Sequence, residues 1–124
     1  MTVLVVDDDA AAREYVRDVL EKAGYSVREA ADGRTALQAV QKAMPACIVL
    51  DLVMPGLSGF DTLRALRKEH KDLAPVVVLT SMEGGGTRTY ATRVNKADAF
   101  VTKGQLDDRQ TGLLSQVRRL TADL

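Results

Sequence analysis

Cysteine, aromatic residues and net charge are all scarce in this sequence of 124 residues. Its one cysteine, Cys47, excludes an intramolecular disulfide, and its apolar neighbours indicate a buried, unreactive thiol. The formal net charge is zero, which argues against the basic surface of a domain that binds nucleic acid directly. No apolar run approaches the length of a membrane span, and Met1 leads directly into a strand-like run rather than a signal peptide. We therefore expect a cytoplasmic protein that binds neither nucleic acid nor membrane.

The remaining composition is that of one small globular domain. Hydrophobic residues make up 46% of the chain, although Trp is absent and Phe and Tyr number two and three. The core must therefore consist mainly of Val, Leu, Ala and Met. A chain of this length has room for one hydrophobic core, so we predict a single domain over residues 1–124.

Short apolar runs alternate with segments of helical periodicity along the whole chain. The runs predict strands over residues 3–6, 47–52, 76–80 and 98–102, and alternating side chains predict the second strand over residues 25–30. Asp32 is a predicted helix N-cap and Gly24 a predicted C-cap, and the last helical pattern begins at Leu106. Continuous apolar strands that alternate with helices are typical of a parallel sheet covered on both faces. We predict an α/β, flavodoxin-like doubly wound (βα)5 fold with a five-stranded sheet of order 2-1-3-4-5.

Acidic residues follow the first strand and end the third. Asp7, Asp8 and Asp9 leave the first strand, and Asp51 is the one acid in an otherwise apolar third strand. In the predicted fold both strand ends lie where the strand order reverses, which is where such sheets bind ligands. Close carboxylates repel each other, and a divalent cation such as Mg²⁺ relieves that repulsion. The cluster therefore predicts a magnesium site with room for a phosphate, although Asp8 or Asp9 would alternatively serve only as a helix cap.

The fourth and fifth strands add a hydroxyl and an ammonium group at the same edge. Thr80 and Ser81 end the fourth strand, and Lys103 follows the fifth. Each residue alone is a weak signal, because a threonine at a strand end is commonly a cap and an edge lysine is commonly solvated. Together with the acids they suit phosphoryl transfer, which needs mainly positioning and charge stabilisation.

The sequence resembles the receiver domains of two-component response regulators, in particular the chemotaxis-regulator type. The resemblance rests on residues 3–9, 49–59, 76–81 and 97–103 and extends over essentially the whole chain. The stretch from Asp51 through Met54, Pro55 and Gly56 is its most specific part.

The resemblance implies a role for each matching residue. Asp51 would be the phosphoacceptor, and Asp8 and Asp51 would bind Mg²⁺ directly. Asp7 would act through water, and the Val53 carbonyl would complete the protein ligands. Thr80 and Lys103 would contact the phosphoryl group. Phe100 would be the aromatic switch residue, turning inward when Thr80 moves toward the phosphate.

The resemblance also implies the partners. The phosphoryl donor would be a phosphohistidine on a histidine kinase or phosphotransfer protein, and the domain would catalyse its own phosphorylation and dephosphorylation without being an enzyme in the usual sense. Phosphorylation would switch the surface that binds a downstream effector protein or domain.

Two departures from the family pattern keep an alternative open. Gly104 follows Lys103 where most receivers have proline after a cis bond, so we expect a trans bond and a looser loop. Three glycines, Gly84, Gly85 and Gly86, fall where the fourth helix should begin. Both features weakly favour a receiver-like interaction module that works without phosphorylation. A third hypothesis, a small phosphatase of the haloacid dehalogenase type, would instead use Asp7 as the nucleophile.

Overall fold

A parallel five-stranded sheet forms the centre of the protein. The computed structural model describes residues 1–52, 59–80 and 97–122. The strands are β1 (Thr2–Val6), β2 (Ser26–Ala30), β3 (Cys47–Asp51), β4 (Val76–Thr80) and β5 (Ala99–Thr102). Their order is β2-β1-β3-β4-β5, so the predicted fold class and the reversal of strand order between β1 and β3 are confirmed.

Four α-helices connect or follow these strands within the described residues. They are α1 (Ala10–Lys22), α2 (Gly33–Lys42), α3 (Gly59–Glu69) and α4 (Leu113–Thr121), and a short 3₁₀ turn covers Lys103–Gln105. The helix predicted between β4 and β5, with its three glycines, lies outside the described residues, so α4 here is the C-terminal helix. No helix in the described part of the chain is both long and apolar enough to span a membrane.

Local sequence signals set the ends of the first two helices as predicted. The Asp32 side chain caps α2 by accepting a hydrogen bond from the Thr35 N–H at 2.7 Å. Gly24, just after α1, has a φ of 98°, which glycine adopts far more readily than a residue with a side chain. Gly24 therefore marks where the chain turns from α1 into β2, and Asp32 marks where it leaves β2 for α2.

The hydrophobic core is divided by the sheet into two clusters. One face of the sheet packs on α2 and α3 through Val40, Leu63 and Leu66, all at least 98% buried. The opposite face packs on α1 and α4 through residues such as Leu20 and Val117. Because both faces are covered, adjacent positions of the central strands are apolar, as the continuous runs in the sequence indicated.

Cys47 lies in the second of these clusters and is fully buried. Burial raises the pKa of its thiol to about 12, because the thiolate would lose its hydration. The prediction of an unreactive cysteine is consistent with this environment.

The C-terminal helix begins later than its sequence periodicity predicted. The pattern starts at Leu106, whereas α4 starts at Leu113. The Asp108 side chain accepts hydrogen bonds from the backbone N–H groups of Gln110 and Thr111, both at 2.8 Å, and thereby forms a turn. The N–H of Gly112 then bonds to the Asp108 carbonyl. Side-chain hydrogen bonds to the backbone therefore override helical spacing in this segment.

Candidate functional site

Four of the predicted site residues lie at the carboxyl edge of the sheet. Asp7 directly follows β1, Asp51 and Thr80 are the last residues of β3 and β4, and Lys103 directly follows β5. In a parallel sheet these positions share one edge, so residues far apart in sequence meet there.

Three carboxylates converge at the centre of this edge. Asp7, Asp8 and Asp51 each offer one carboxylate oxygen within 4.8 Å of the others. Asp7 and Asp51 are buried, with 3% and 5% of their surface exposed, whereas Asp8 is exposed. Opposite ligands of an octahedral Mg²⁺ lie about 4 Å apart, so these oxygens are near the spacing of a Mg²⁺ site and are of the type that this ion prefers.

Asp9 caps a helix, whereas Asp7 and Asp8 belong to the carboxylate cluster. Its side chain caps α1 by accepting a hydrogen bond from the Ala11 N–H at 3.0 Å, and its own N–H donates to Asp7 Oδ1 at 2.9 Å. The alternative that these acids are only structural therefore holds for Asp9. Its N–H orients the carboxylate of Asp7.

Lys103 brings positive charge to the same cluster. Its Nζ lies 3.6 Å from Asp7 Oδ2 and 3.9 Å from Asp51 Oδ2, and about a third of its side chain is exposed. One ammonium beside three carboxylates leaves the cluster negative, which suits a divalent cation. The same ammonium is placed to attract the oxygens of a phosphoryl group beside Asp51.

Gly59 fits tightly against the residue that carries the central acid. Its N–H donates to the Leu52 carbonyl at 3.1 Å, and a Cβ at this position would overlap the Asp51 carbonyl oxygen and the Leu52 Cα. In the sequence this glycine only ends the stretch 49–59 that resembles receiver domains, whereas the close approach of two backbone segments is a tertiary feature.

Arg13 supports the acidic edge from α1. Its guanidinium donates to the Asp7 carbonyl at 2.7 Å and also bonds to Glu29, which in turn pairs with Arg17 at 2.6 Å. Partial burial raises the pKa of the Glu29 carboxyl, but hydrogen bonds from Arg17 and Arg13 outweigh this and leave that pKa below its usual value. No sequence motif pointed to Arg13, because its partners come from β2 and from the backbone after β1.

The turn that carries Lys103 is held by side-chain hydrogen bonds. Gln105 Oε1 accepts from the N–H of Thr102 at 3.0 Å and from its hydroxyl at 3.2 Å, and Gln105 Nε2 donates to the Thr111 hydroxyl at 2.9 Å. None of the described peptide bonds is cis, so the predicted trans bond between Lys103 and Gly104 is confirmed.

The structure describes only some of the remaining predicted site residues. Phe100 is buried, with 7% exposure, and pairs in register with Val78, two residues before Thr80. The backbone of Thr80 pairs with Thr102, while its side chain lies outside what the structure describes. Val53, the predicted carbonyl ligand, also lies outside the described residues. The roles of all these residues remain predictions.

Comparison with known sequences gives a consistent result. The family model for the response regulator receiver domain matches residues 3–113. Among curated relatives, the response regulator MprA of Mycolicibacterium vanbaalenii is 37% identical over 121 residues, which are 98% of this chain and 52% of that protein. MprA of Mycobacterium avium is 44% identical over 120 residues, or 97% of this chain and 50% of the relative. The chain thus spans about half the length of the curated relatives it matches.

Solved structures agree with the sequence comparisons. The chemotaxis protein CheY4 of Vibrio cholerae has a TM-score of 0.81 at 31% identity and covers 96% of this chain and 97% of its own. The response regulator TrrA of Thermotoga maritima, solved in complex with Mg²⁺-BeF, has a TM-score of 0.80 at 30% identity with the same coverage. The chain belongs to the family of response regulator receiver domains, the receiver module of two-component signalling.

Proposed function

We propose that residues 1–124 form one receiver domain in which Asp51 accepts a phosphoryl group from a phosphohistidine. The main support is the cluster of Asp7, Asp8 and Asp51, which each offer a carboxylate oxygen within 4.8 Å of the others. The Lys103 ammonium lies 3.9 Å from the Asp51 carboxylate. The nucleophile, the metal ligands and the charge stabiliser of a phosphoryl transfer would then all lie at one edge of the sheet.

The proposed reaction is a direct displacement at phosphorus. An Asp51 carboxylate oxygen attacks, the new O–P bond forms, and the P–N bond to the donor imidazole breaks. The imidazole keeps the electron pair of that bond and takes its proton from solvent. Burial of Asp51 supports this role, because a nucleophile with little hydration is held ready for attack. The Lys103 ammonium would attract the phosphoryl oxygens, with the hydroxyl of Thr80 as a second contact.

Asp7, Asp8 and Asp51 would hold Mg²⁺, with the Val53 carbonyl as a further ligand. The carboxylate oxygens and their spacing fit this ion, and the similar TrrA was solved with Mg²⁺-BeF. When bound, Mg²⁺ would neutralise negative charge on the carboxylates and the phosphoryl group. Asp7 is oriented for this task by the Asp9 N–H, and Lys103 shares the cluster without being a ligand.

Switching would follow from phosphorylation through Thr80 and Phe100. The register places Thr80 two residues beyond the partner of Phe100 on the neighbouring strand, which supports coupling of the two positions. The aromatic ring is already buried in the described conformation, so the proposal requires another, outward arrangement before switching.

The proposed partners are a histidine kinase or phosphotransfer protein as donor and a downstream effector protein or domain as target. The response regulators that this chain resembles support both. We also propose a cytoplasmic location, since phosphohistidine donors are phosphorylated from ATP. The zero net charge supports a domain that does not itself bind nucleic acid. Catalysis would be confined to the domain's own phosphorylation and dephosphorylation.

The proposal is tested by measuring intact mass after incubation with acetyl phosphate and Mg²⁺. We expect one phosphoryl adduct on the wild type, none on Asp51→Asn, and none without Mg²⁺. Asp18→Asn, which changes an exposed aspartate of α1, is the matched control and should react like the wild type. An adduct that persists in Asp51→Asn and disappears in Asp7→Asn would instead support the phosphatase hypothesis. A folded wild type without any adduct would support the phosphorylation-independent module.

A further inference from the structure

The loop after β5 lacks the proline that would stiffen the turn beside Lys103. Gly104 contributes no ring and no side chain, so its backbone has more conformational freedom than any other residue would have. Yet Lys103 is held close enough for its ammonium to lie 3.6 Å and 3.9 Å from two buried carboxylates. Other contacts must therefore restrict this turn.

Gln105 makes hydrogen bonds on both sides of the turn. Its Oε1 accepts the N–H and the hydroxyl of Thr102, the residue before Lys103, at 3.0 Å and 3.2 Å. Its Nε2 donates to the Thr111 hydroxyl at 2.9 Å. The Gln105 side chain thus ties the end of β5 to the segment that precedes α4.

That segment is itself anchored in the core. The Asp108 carboxylate accepts the N–H of Thr111 at 2.8 Å, and the Leu113 N–H donates to the Leu106 carbonyl at 3.0 Å. Leu113 is fully buried. Gln105 therefore links the Lys103 turn to a fixed point and not to a second free loop.

We infer that Gln105 is the positioning residue for Lys103, replacing with side-chain hydrogen bonds the rigidity that a proline would give the turn. This inference rests on the proposed function, because it assigns Gln105 to the phosphoryl-contacting lysine and not to the metal ligands. Gln105 acts by limiting the positions that the Lys103 ammonium samples, and it does not touch the reacting atoms.

A double-mutant cycle tests the inference. The rate of adduct formation from acetyl phosphate is measured for wild type, Gln105→Ala, Lys103→Ala and the double variant, and Mg²⁺ affinity is measured by calorimetry. We expect Gln105→Ala to slow the reaction roughly tenfold, since misplacing a positioned group by about 1 Å can cost about 100-fold. Its Mg²⁺ affinity should stay within about twofold of wild type. In the Lys103→Ala background, Gln105→Ala should have no further effect.

The controls separate this inference from the proposed function. Gln110→Ala removes an exposed glutamine side chain from the same loop and should react like the wild type. If Gln105→Ala does not fold, Thr111→Val removes the hydroxyl that accepts from Nε2 and should give a smaller loss that again depends on Lys103. Because this hydroxyl also bonds to the Asp108 carboxylate, the dependence on Lys103, and not the size of the loss, is the test.

Rates for Gln105→Ala or Thr111→Val equal to wild type, or an effect of equal size in the Lys103→Ala background, would overturn the inference while the proposed function stands. A wild type that forms no adduct on Asp51 would instead show that the proposed function is wrong.

Discussion

The acidic and the basic halves of this site are built in different ways. Asp7 and Asp51 follow or end the central strands β1 and β3, and both are almost completely buried. Lys103 follows β5, which is an edge strand, and about a third of its side chain is exposed. The acids are therefore positioned by the interior of the sheet, whereas the lysine depends on the hydrogen bonds of a surface turn.

Substitutions in the two halves should therefore have different effects on stability, metal binding and reactivity. The backbone around the acids also packs the core, because the Asp7 N–H bonds to the Ala30 carbonyl and Gly59 lies against Asp51 and Leu52. Changes there should reduce stability and metal binding together. Between β5 and Leu113, which the structure describes throughout, only the Leu106 side chain packs against the core, and residues 107–111 are exposed. Changes to the polar side chains of this turn should therefore reduce reactivity with little loss of stability.

The largest effect that separates the two halves is expected from Lys103→Ala. Loss of the ammonium should slow adduct formation from acetyl phosphate by about 100-fold, as for other lost transition-state charge stabilisers. Mg²⁺ affinity should not fall, because the removed charge lies beside two of the carboxylates and repels a cation. Lys71→Ala, at an exposed position after α3, is the control. A marked drop in Mg²⁺ affinity in Lys103→Ala would contradict the separation.

Gly59→Ala should lower both stability and Mg²⁺ binding, because Gly59 lies against the backbone of Asp51. The added Cβ overlaps the backbone of Asp51 and Leu52, so the chain must shift, and overpacking of this kind costs about 1–3 kcal/mol of stability. We expect lower stability in urea unfolding together with weaker Mg²⁺ binding.

Gly24→Ala is the matched control for that substitution. Its φ of 98° makes alanine unfavourable by about 1–2 kcal/mol, but nothing lies within 4 Å of the added Cβ. It should lower stability and leave Mg²⁺ binding unchanged. Equal Mg²⁺ affinity in both variants would show that Gly59 does not position Asp51.

The smallest effect, on stability, is expected for Glu29, which pairs with the Arg13 that bonds to the Asp7 carbonyl. The pKa of Glu29 is lowered in the folded protein, so the ionised form stabilises the fold above the unfolded pKa, near 4.5, and this contribution is lost as pH falls through the lower folded value. Glu29→Gln should cost under about 1 kcal/mol at pH 7, since the pairs with Arg13 and Arg17 are partly exposed.

Urea unfolding of Glu29→Gln and wild type across pH 3–7 measures this contribution. The difference in stability should shrink toward zero as the medium becomes acidic. Glu69→Gln, at an exposed position of α3, should show a smaller difference throughout. A difference for Glu29→Gln that grows on acidification would contradict the direction of the shift.

The main features of the fold were predictable from local patterns. Continuous apolar runs marked the central strands, whose two faces are both covered, and an alternating pattern marked the edge strand β2. Asp32 and Gly24 marked helix ends through capping and a left-handed backbone. The start of the last helix was not predictable in this way. The hydrogen bonds that the Asp108 carboxylate accepts from the backbone compete with helix formation there, and hydrophobic periodicity does not reveal that competition.

The sequence by itself determined which chemical groups are available and at which strand ends they stand. Acids after the first and third apolar runs and a lysine after the fifth were enough to predict one shared edge, because parallel strands bring their carboxyl ends together. Tertiary structure decided which of those groups meet and what holds them. The different roles of Asp7 and Asp9 and the bond from Thr102 to Gln105 depend on local backbone geometry. The approach of Lys103 to Asp7 and Asp51 and the fit of Gly59 against Asp51 join segments that are separated in sequence. Such contacts are absent from residue spacing because they arise only when the sheet and its helices have packed.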